Sequence, residues 1–238
     1  MNVVIVADDG YIQHAGVMLT SLFETNKGCR IRVFLLTNGI SDDNQRRLEC
    51  LCKAYGNSIE ICQPDSQLSQ YCDIDKLNSS NWSKMIYYKL FMPHILPLEV
   101  ERCLFLDVDM VVVDNLNELY NIPLNPNAII AAVEDVISCL PRKDTLGLSE
   151  TDPYINSGVM VCDIARWREE ENNHPIFEFV IEHSNVFVNE QDVIATYMKG
   201  RIQLLPIKWN MVGCNYLRKK FVLSLIHISE PTRRRGIS

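Results

Sequence analysis

Val3-Val4-Ile5-Val6-Ala7-Asp8-Asp9-Gly10-Tyr11 is the stretch from which the fold can be read. Five apolar residues, three of them valine and one isoleucine, form a short continuous run of the kind a strand buried on both faces requires. Ala15, Met18, Leu19 and Leu22 then recur at helical spacing, and Ile31–Thr37 is a second apolar strand. Ser41 is a candidate N-cap, with Asp42 and Asp43 favourably placed at the positive helix end. Leu48, Leu51, Cys52 and Tyr55 follow at i, i+3, i+4 and i+7, Gly56 marks the stop, and Ser58–Cys62 is a third strand. A β-α-β-α-β order predicts an α/β fold with a parallel, right-handed, Rossmann-like sheet.

The first βα turn is chemically specific. A dehydrogenase-type dinucleotide fold carries glycines here, so that pyrophosphate can approach the helix N-terminus. Ala7-Asp8-Asp9-Gly10-Tyr11 places carboxylates there instead, and these repel phosphate. An acceptor at this point suits an N–H or hydroxyl donor such as uracil N3–H or a ribose. The alternative is that Asp8 and Asp9 only cap the helix that starts near Tyr11.

The chain has 238 residues, with 23 basic and 30 acidic side chains and a net charge of −7. That balance argues against a nucleic-acid binder, which needs a basic face for phosphates. Nine dispersed cysteines, with Cys50 and Cys52 as the one close pair, form neither a zinc motif nor a secreted disulfide framework. They read as small core hydrophobes, free thiols in a reducing cytoplasm. The N-terminus enters a strand directly, without a basic region or an apolar run long enough for a signal peptide or a membrane span.

Further along, residues 64–81 read as a loop and Lys84–Met92 as a short helix ended before Pro93. Cys103–Leu106, Met110–Val113, Ala128–Val133 and Ile202–Leu205 read as strands. Residues 135–153 read as a mobile connection or lid, and helices are expected around 163–170, 175–183 and 189–199. No internal repeat or linker interrupts the chain.

The strongest local signal is Cys103-Leu104-Phe105-Leu106-Asp107-Val108-Asp109-Met110-Val111-Val112-Val113. Two carboxylates lie between two apolar runs, where charge is costly unless compensated. In extended chain, i and i+2 share a face, so Asp107 and Asp109 can share a hard divalent cation such as Mn²⁺ or Mg²⁺. A capped turn is the competing reading. Asp107-Val108-Asp109-Met110-Val111 also fits the D-x-D-x-[T/V] pattern of haloacid-dehalogenase-like phosphatases, with Asp107 as nucleophile and Asp109 as acid/base. That motif normally opens its fold, however, and is completed by a later Gly-Asp motif, which this chain lacks.

Four further segments are Val4-Ile5-Val6-Ala7-Asp8-Asp9-Gly10-Tyr11, Tyr87-Tyr88-Lys89-Leu90, Tyr154-Ile155-Asn156-Ser157-Gly158-Val159 and Asn189-Glu190-Gln191-Asp192-Val193. Together with Leu104-Phe105-Leu106-Asp107-Val108-Asp109, and in this order, they make the chain resemble glycosyltransferase family 8. Its members are retaining UDP-sugar transferases that include lipopolysaccharide galactosyl- and glucosyltransferases and glycogenin. The resemblance implies a nucleotide-diphospho-sugar transferase (GT-A) fold, with a mixed, mostly parallel central sheet and flanking helices. It implies transfer of glucose or galactose from UDP-glucose or UDP-galactose to a glycan or glycolipid hydroxyl, such as that of a lipopolysaccharide core.

The resemblance also implies roles. Ala7, Asp8, Gly10 and Tyr11 would hold uracil and ribose, with Asp9 and Val108 in the same donor-binding set. Asp107 and Asp109 would bind the cation, and Lys89 the sugar or phosphate. Asn156, Glu190 and Gln191 would face the donor sugar as catalytic residues, Gln191 behind the anomeric carbon. An amide is a very poor nucleophile, so Gln191 would act electrostatically, and a same-face, ion-pair-like substitution fits better than a covalent intermediate. Plainer readings stand beside these: Asn156 as a turn residue, Gln191 and Asp192 as an exposed first helical turn, and Tyr87 and Tyr88 as packing residues.

The sequence departs from the family pattern in three places. Lys89 replaces the usual Arg and loses its planar fork, and Glu190 replaces Asp. The later His-x-x-Gly…Lys-Pro-Trp segment, which supplies a third metal ligand, is absent. Leu223-Ser224-Leu225-Ile226-His227-Ile228-Ser229-Glu230-Pro231-Thr232-Arg233 resembles the in-frame translation of a transposase-type sequencing adapter. The expectation is therefore a transferase domain over residues 1–222, lacking its C-terminal end, and a foreign tail over 223–238. Without the tail the charge becomes −9, from 20 basic and 29 acidic residues. The expected 238-residue product binds UDP–Mn²⁺ weakly and is nearly inactive, at most a nucleotide-binding fragment. The protein is expected in the cytoplasm, with peripheral contact at the inner membrane face through the missing part.

Overall fold

The computed structural model describes residues 1–64, 84–135, 139–183 and 186–211. The first half follows the alternation read from the sequence: β1 (Asn2–Val6), α1 (Ile12–Thr25), β2 (Arg32–Leu36), α2 (Asp42–Ala54) and β3 (Ser58–Cys62). Ser41 caps α2, its hydroxyl accepting the Asn44 N–H. A 3₁₀ stretch (Lys84–Phe91) leads through α3 (Met92–Ile95) to β4 (Arg102–Leu106) and α4 (Asn117–Tyr120). Then follow β5 (Ile130–Glu134), α5 (Cys139–Thr145), β6 (Ile155–Asp163), α6 (Ile164–Asn173), α7 (Ile176–Glu182), α8 (Glu190–Tyr197) and β7 (Ile202–Leu204).

The seven strands form one sheet in the order β3-β2-β1-β4-β6-β5-β7. β1 runs parallel to β2 and β4, β2 to β3, and β5 to β7, whereas β6 is antiparallel to both β4 and β5. The chain winds outward from β1 to β3 and then returns to place β4 on the other side of β1. That reversal opens a crevice beyond the carboxyl ends of β1 and β4, where α/β sheets bind their ligands.

Alternation along the strands divides the core. Val3, Ile5, Leu104 and Leu106 face α1 through Leu19, Leu22 and Phe23. Val4, Phe34 and Phe105 face the opposite side, with Trp167, Phe91 and Ile194. Tyr87 and Tyr88 are buried in this second cluster, which makes them packing residues.

Arg168 of α6 organises the approach to β4. Its guanidinium donates to the carbonyls of Pro93, Leu96, Pro97, Leu98 and Val100 at 2.8–3.2 Å. A planar fork can serve so many acceptors, and an ammonium cannot. Arg168→Ala is expected to destabilise the protein by about 2–4 kcal/mol, and Arg168→Lys to recover little of it. Urea unfolding measures both, and a midpoint unchanged in Arg168→Ala would contradict this role.

Three expectations need correction. Met110–Val113 is not a strand: Val111 and Val113 are 62% and 86% exposed, and the Val112 N–H donates to Ser21 Oγ at 2.9 Å. β-branched residues favour strands only where a neighbour exists to pair with, and this segment has left the sheet. Pro93 does not end a helix but lies in the first turn of α3, where its missing N–H costs nothing. Residues 135–153 contain a helix, α5, rather than connection alone. Most of the 64–81 loop, the boundary at 222 and the tail lie outside the described residues.

Candidate functional site

The crevice is built from the ends of four elements. On one side, the chain leaving β1 makes a tight 3₁₀ turn over Asp9–Tyr11. Asp8 caps it, its carboxylate accepting the Tyr11 N–H at 3.0 Å. Asp9 points elsewhere: Oδ1 accepts from Ser41 N (2.7 Å), Ser41 Oγ (3.0 Å) and Asn44 Nδ2 (2.7 Å). These bonds, the Ser41 backbone first, hold its pKa below the usual carboxylate range. Asp9 therefore ties the β1 turn to the start of α2. Ala7 is buried, whereas Tyr11 is 51% exposed, its ring 5.1 Å from that of His14. Gly10 has room for a side chain, since an added Cβ would meet Asp8 Oδ1 at an ordinary 3.4 Å.

Next to it stands the end of β4. Val3 pairs with Leu104 and Val4 with Phe105, so Val6 falls level with Asp107. Asp107 is half-buried, Val108 is buried and Asp109 is exposed. Because β6 is antiparallel, its beginning lies beside the end of β4, and the Asp107 N–H donates to the Gly158 carbonyl at 2.8 Å. This places Asn156, Ser157 and Gly158 at the acidic pair. Gly158 has a steric reason to be glycine: a Cβ there would sit 2.9 Å from Asp107 Oδ2 and 3.0 Å from Asn156 Oδ1.

Lys89, from the 3₁₀ stretch, joins these pieces. Its side chain is 5% exposed, and Nζ reaches Glu190 Oε1 at 3.0 Å, Ser157 Oγ at 3.1 Å and Asp107 Oδ1 at 3.4 Å. It also lies over the Phe105 ring, 4.7 Å from the centroid. Burial opposes its charge, but Asp107 and Glu190 outweigh that and raise its pKa. Asp107 is shifted upward by burial and by the carboxylates of Glu190 and Asp109, with Lys89 pulling the other way. Asp107 thus sits in an acidic setting with the Lys89 ammonium beside it.

The last wall is the first turn of α8. Asn189 caps it through the Asp192 N–H at 3.0 Å. Ser157 Oγ donates to Glu190 at 2.8 Å, and the Ser157 N–H donates to Gln191 Oε1 at 3.0 Å. Gln191 Nε2 in turn donates to Asp135 Oδ2 at 3.2 Å. With a donor at one end and a carboxylate at the other, the Gln191 amide has one satisfied orientation. The Asn156 side chain accepts from the Gly158 N–H at 3.0 Å and from Asn210 Nδ2 at 2.7 Å. A cavity of about 810 Å³ opens from Asp107, Asp109, Asn156 and Gly158 toward Trp209 and Asn210.

The structure thus gathers Lys89, Asp107, Asn156, Glu190 and Gln191 around Ser157 and Gly158. Ala7, Asp8, Gly10 and Tyr11 stand at the neighbouring strand end. Ser157, Asp135 and Asn210 are site residues that the sequence reading passed over as such. Asp135 carried a usable signal, since like Asp107 it follows an apolar strand at its carboxyl end. Among the described residues no group of three or more His, Cys, Asp or Glu gathers to hold a metal. The acidic pair nevertheless fits a hard cation by its chemistry: both carboxylate residues line a cavity, and the space beside Asp107 is kept open by the absence of a Cβ at residue 158.

Comparison with known proteins agrees with this architecture. General stress protein A of Bacillus subtilis is 27% identical over 215 residues, 88% of this chain and 73% of that protein. The lipopolysaccharide 1,2-glucosyltransferase of Escherichia coli K12 is 25% identical over 216 residues, 89% of this chain but 62% of its own length. The lipopolysaccharide 1,3-galactosyltransferase of Salmonella typhimurium is 21% identical, covering 98% of this chain and 72% of that one. Among solved structures, galactosyltransferase LgtC in complex with donor and acceptor sugar analogues superposes with a TM-score of 0.75 at 23% identity. That match covers 87% of this chain and 74% of the other. The shared fold is the GT-A type, a mixed and mostly parallel sheet flanked by helices. The glycosyl transferase family 8 pattern matches residues 2–229, and with the acidic strand end, the β6 edge and the α8 turn gathered at one crevice, the chain belongs to glycosyl transferase family 8.

Proposed function

We propose that the protein transfers a hexose, glucose or galactose, from a UDP-sugar to a hydroxyl of a glycan or glycolipid acceptor, with retention at the anomeric carbon. The observation that carries this reading is the joining of Lys89, Asp107, Ser157, Glu190 and Gln191 by hydrogen bonds at the mouth of the sheet. Asp107 and Asp109 would hold Mn²⁺ or Mg²⁺, and a cation there supplies positive charge to a diphosphate leaving group. Asp8 and Tyr11 offer an acceptor and an aromatic face to a nucleoside. Lys89 contributes a fixed positive charge that needs no reorganisation. Gln191, gripped from both sides, presents an amide dipole and no nucleophile to the sugar. The acceptor class follows that of the lipopolysaccharide transferases among the relatives.

The phosphatase reading falls with the family match and with the position of the acidic pair after three strands. Six described cysteines are free thiols, suited to a reducing cytoplasm. No helix among the described residues is long and apolar enough to cross a membrane, and contact with the inner membrane face belongs to the same proposal. UDP release measured over a panel of UDP-sugars with Mn²⁺, at the low turnover expected of this chain, tests the reading. Release from UDP-glucose or UDP-galactose supports it, whereas phosphate release from simple phosphomonoesters without UDP release overturns it.

A further inference from the structure

Asp192 follows Glu190 and Gln191 but faces away from the crevice. Its side chain is fully buried, a costly place for a charge unless every lone pair is served. Arg142 of α5 donates to Oδ1 through Nε at 3.1 Å and to Oδ2 through Nη2. The Tyr154 hydroxyl donates to Oδ1 at 2.8 Å and the Val188 N–H to Oδ2 at 2.7 Å. Both oxygens are therefore occupied, by a bidentate guanidinium and two further donors. A carboxylate held in this way is an anchor and does not act as a nucleophile.

The anchor connects to the crevice on both sides. Arg142 Nη2 also donates to the Val186 carbonyl at 3.0 Å, which fixes the turn entering α8. The Tyr154 carbonyl accepts the Asp135 N–H at 2.8 Å, and Asp135 is the residue that holds the Gln191 amide. Tyr154 leads directly into Asn156 and Ser157, whose N–H and hydroxyl hold Gln191 and Glu190. Three consecutive residues thus divide their work: two face the crevice and the third is bolted to α5 and to the start of β6.

We propose that Arg142, Tyr154 and Asp192 form a clamp that positions Glu190 and Gln191 against the hexose of the donor. Arg142 and Tyr154 are positioning residues, acting through Asp192 without touching substrate. This rests on the UDP-sugar reading of the crevice. The clamp acts on the hexose end alone, because the nucleoside side is built from β1 and its turn.

The test is calorimetry, in Mn²⁺, of UDP and of the transfer-resistant UDP-2-fluoro-glucose and UDP-2-fluoro-galactose, on the wild type, Arg142→Lys and Tyr154→Phe. Arg142→Lys keeps the charge and loses the fork. Tyr154→Phe keeps the ring and loses one donor, and remains informative if the first variant fails to fold. The expected result is UDP affinity within about twofold of wild type and a roughly tenfold weaker binding of the fluorinated UDP-hexose. Parallel loss of both ligands in the folded variants, or no change in either, overturns the clamp while leaving the crevice as the donor site. Wild type that binds none of the three ligands overturns the donor reading and the clamp together.

Discussion

Asp107→Asn removes Mn²⁺-dependent binding of UDP-sugar while leaving the protein folded. The substitution preserves size and one acceptor oxygen but deletes the charge that faces the cavity. The side chain is 40% exposed, so its amide can be solvated and the fold tolerates it. Lys89 keeps its 3.0 Å partner in Glu190. The loss in affinity should exceed the ~10–100-fold that removing a partner behind a metal ligand typically costs. Asp109→Asn should behave alike, since Asp109 is the second carboxylate of the acidic pair and also lines the cavity. Unchanged calorimetric affinity in both variants would remove the metal assignment.

Gly158→Ala should do similar damage by adding one methyl group. Residue 158 lies within β6 without a positive φ, so alanine meets no backbone strain there. The obstacle is the 2.9 Å approach to Asp107 Oδ2 and the 3.0 Å approach to Asn156 Oδ1. Both neighbours are carboxyl or amide groups with bonds to keep: Lys89 to Asp107, and Gly158 N–H and Asn210 to Asn156. Relief must rotate the Asp107 carboxylate away from its present direction. The expected outcome is an affinity for UDP–Mn²⁺ lower by about 10–100-fold, in the range for a displaced ligand partner, with an unfolding midpoint close to wild type. Wild-type affinity in a folded Gly158→Ala protein would show that the carboxylate direction is not what the site requires.

The first five elements were legible because their signals are local. The apolar run Val3–Ala7, the spacing of Ala15, Met18, Leu19 and Leu22, and the Ser41 cap each act within a few residues. Asp107 and Asp109 were legible for a related reason, since carboxylates between apolar runs demand an explanation wherever they occur. The direction of β6 was not legible. It depends on pairings such as Leu104 with Val161, far apart in sequence and set by where the chain returns. For the same reason Met110–Val113 misled, because propensity cannot report the absence of a partner strand. The second rank of the site was hidden by distance too. Arg142 meets Asp192 across 50 positions, and Lys89 meets Glu190 across 101, with no periodicity to announce either. Asp9 shows the limit of motif reading from the other side. Within one motif, Asp8 caps its own turn while Asp9 is bound by Ser41 and Asn44, 32 and 35 residues away.

The most direct test of the central claim is calorimetric titration of UDP-glucose and UDP-galactose into the protein, once with Mn²⁺ and once with EDTA. A metal-dependent donor site at the β1–β4 crevice predicts saturable binding of at least one of the two with Mn²⁺, abolished by EDTA and absent in Asp107→Asn. Binding of equal strength in EDTA, or binding that survives in Asp107→Asn, would contradict it.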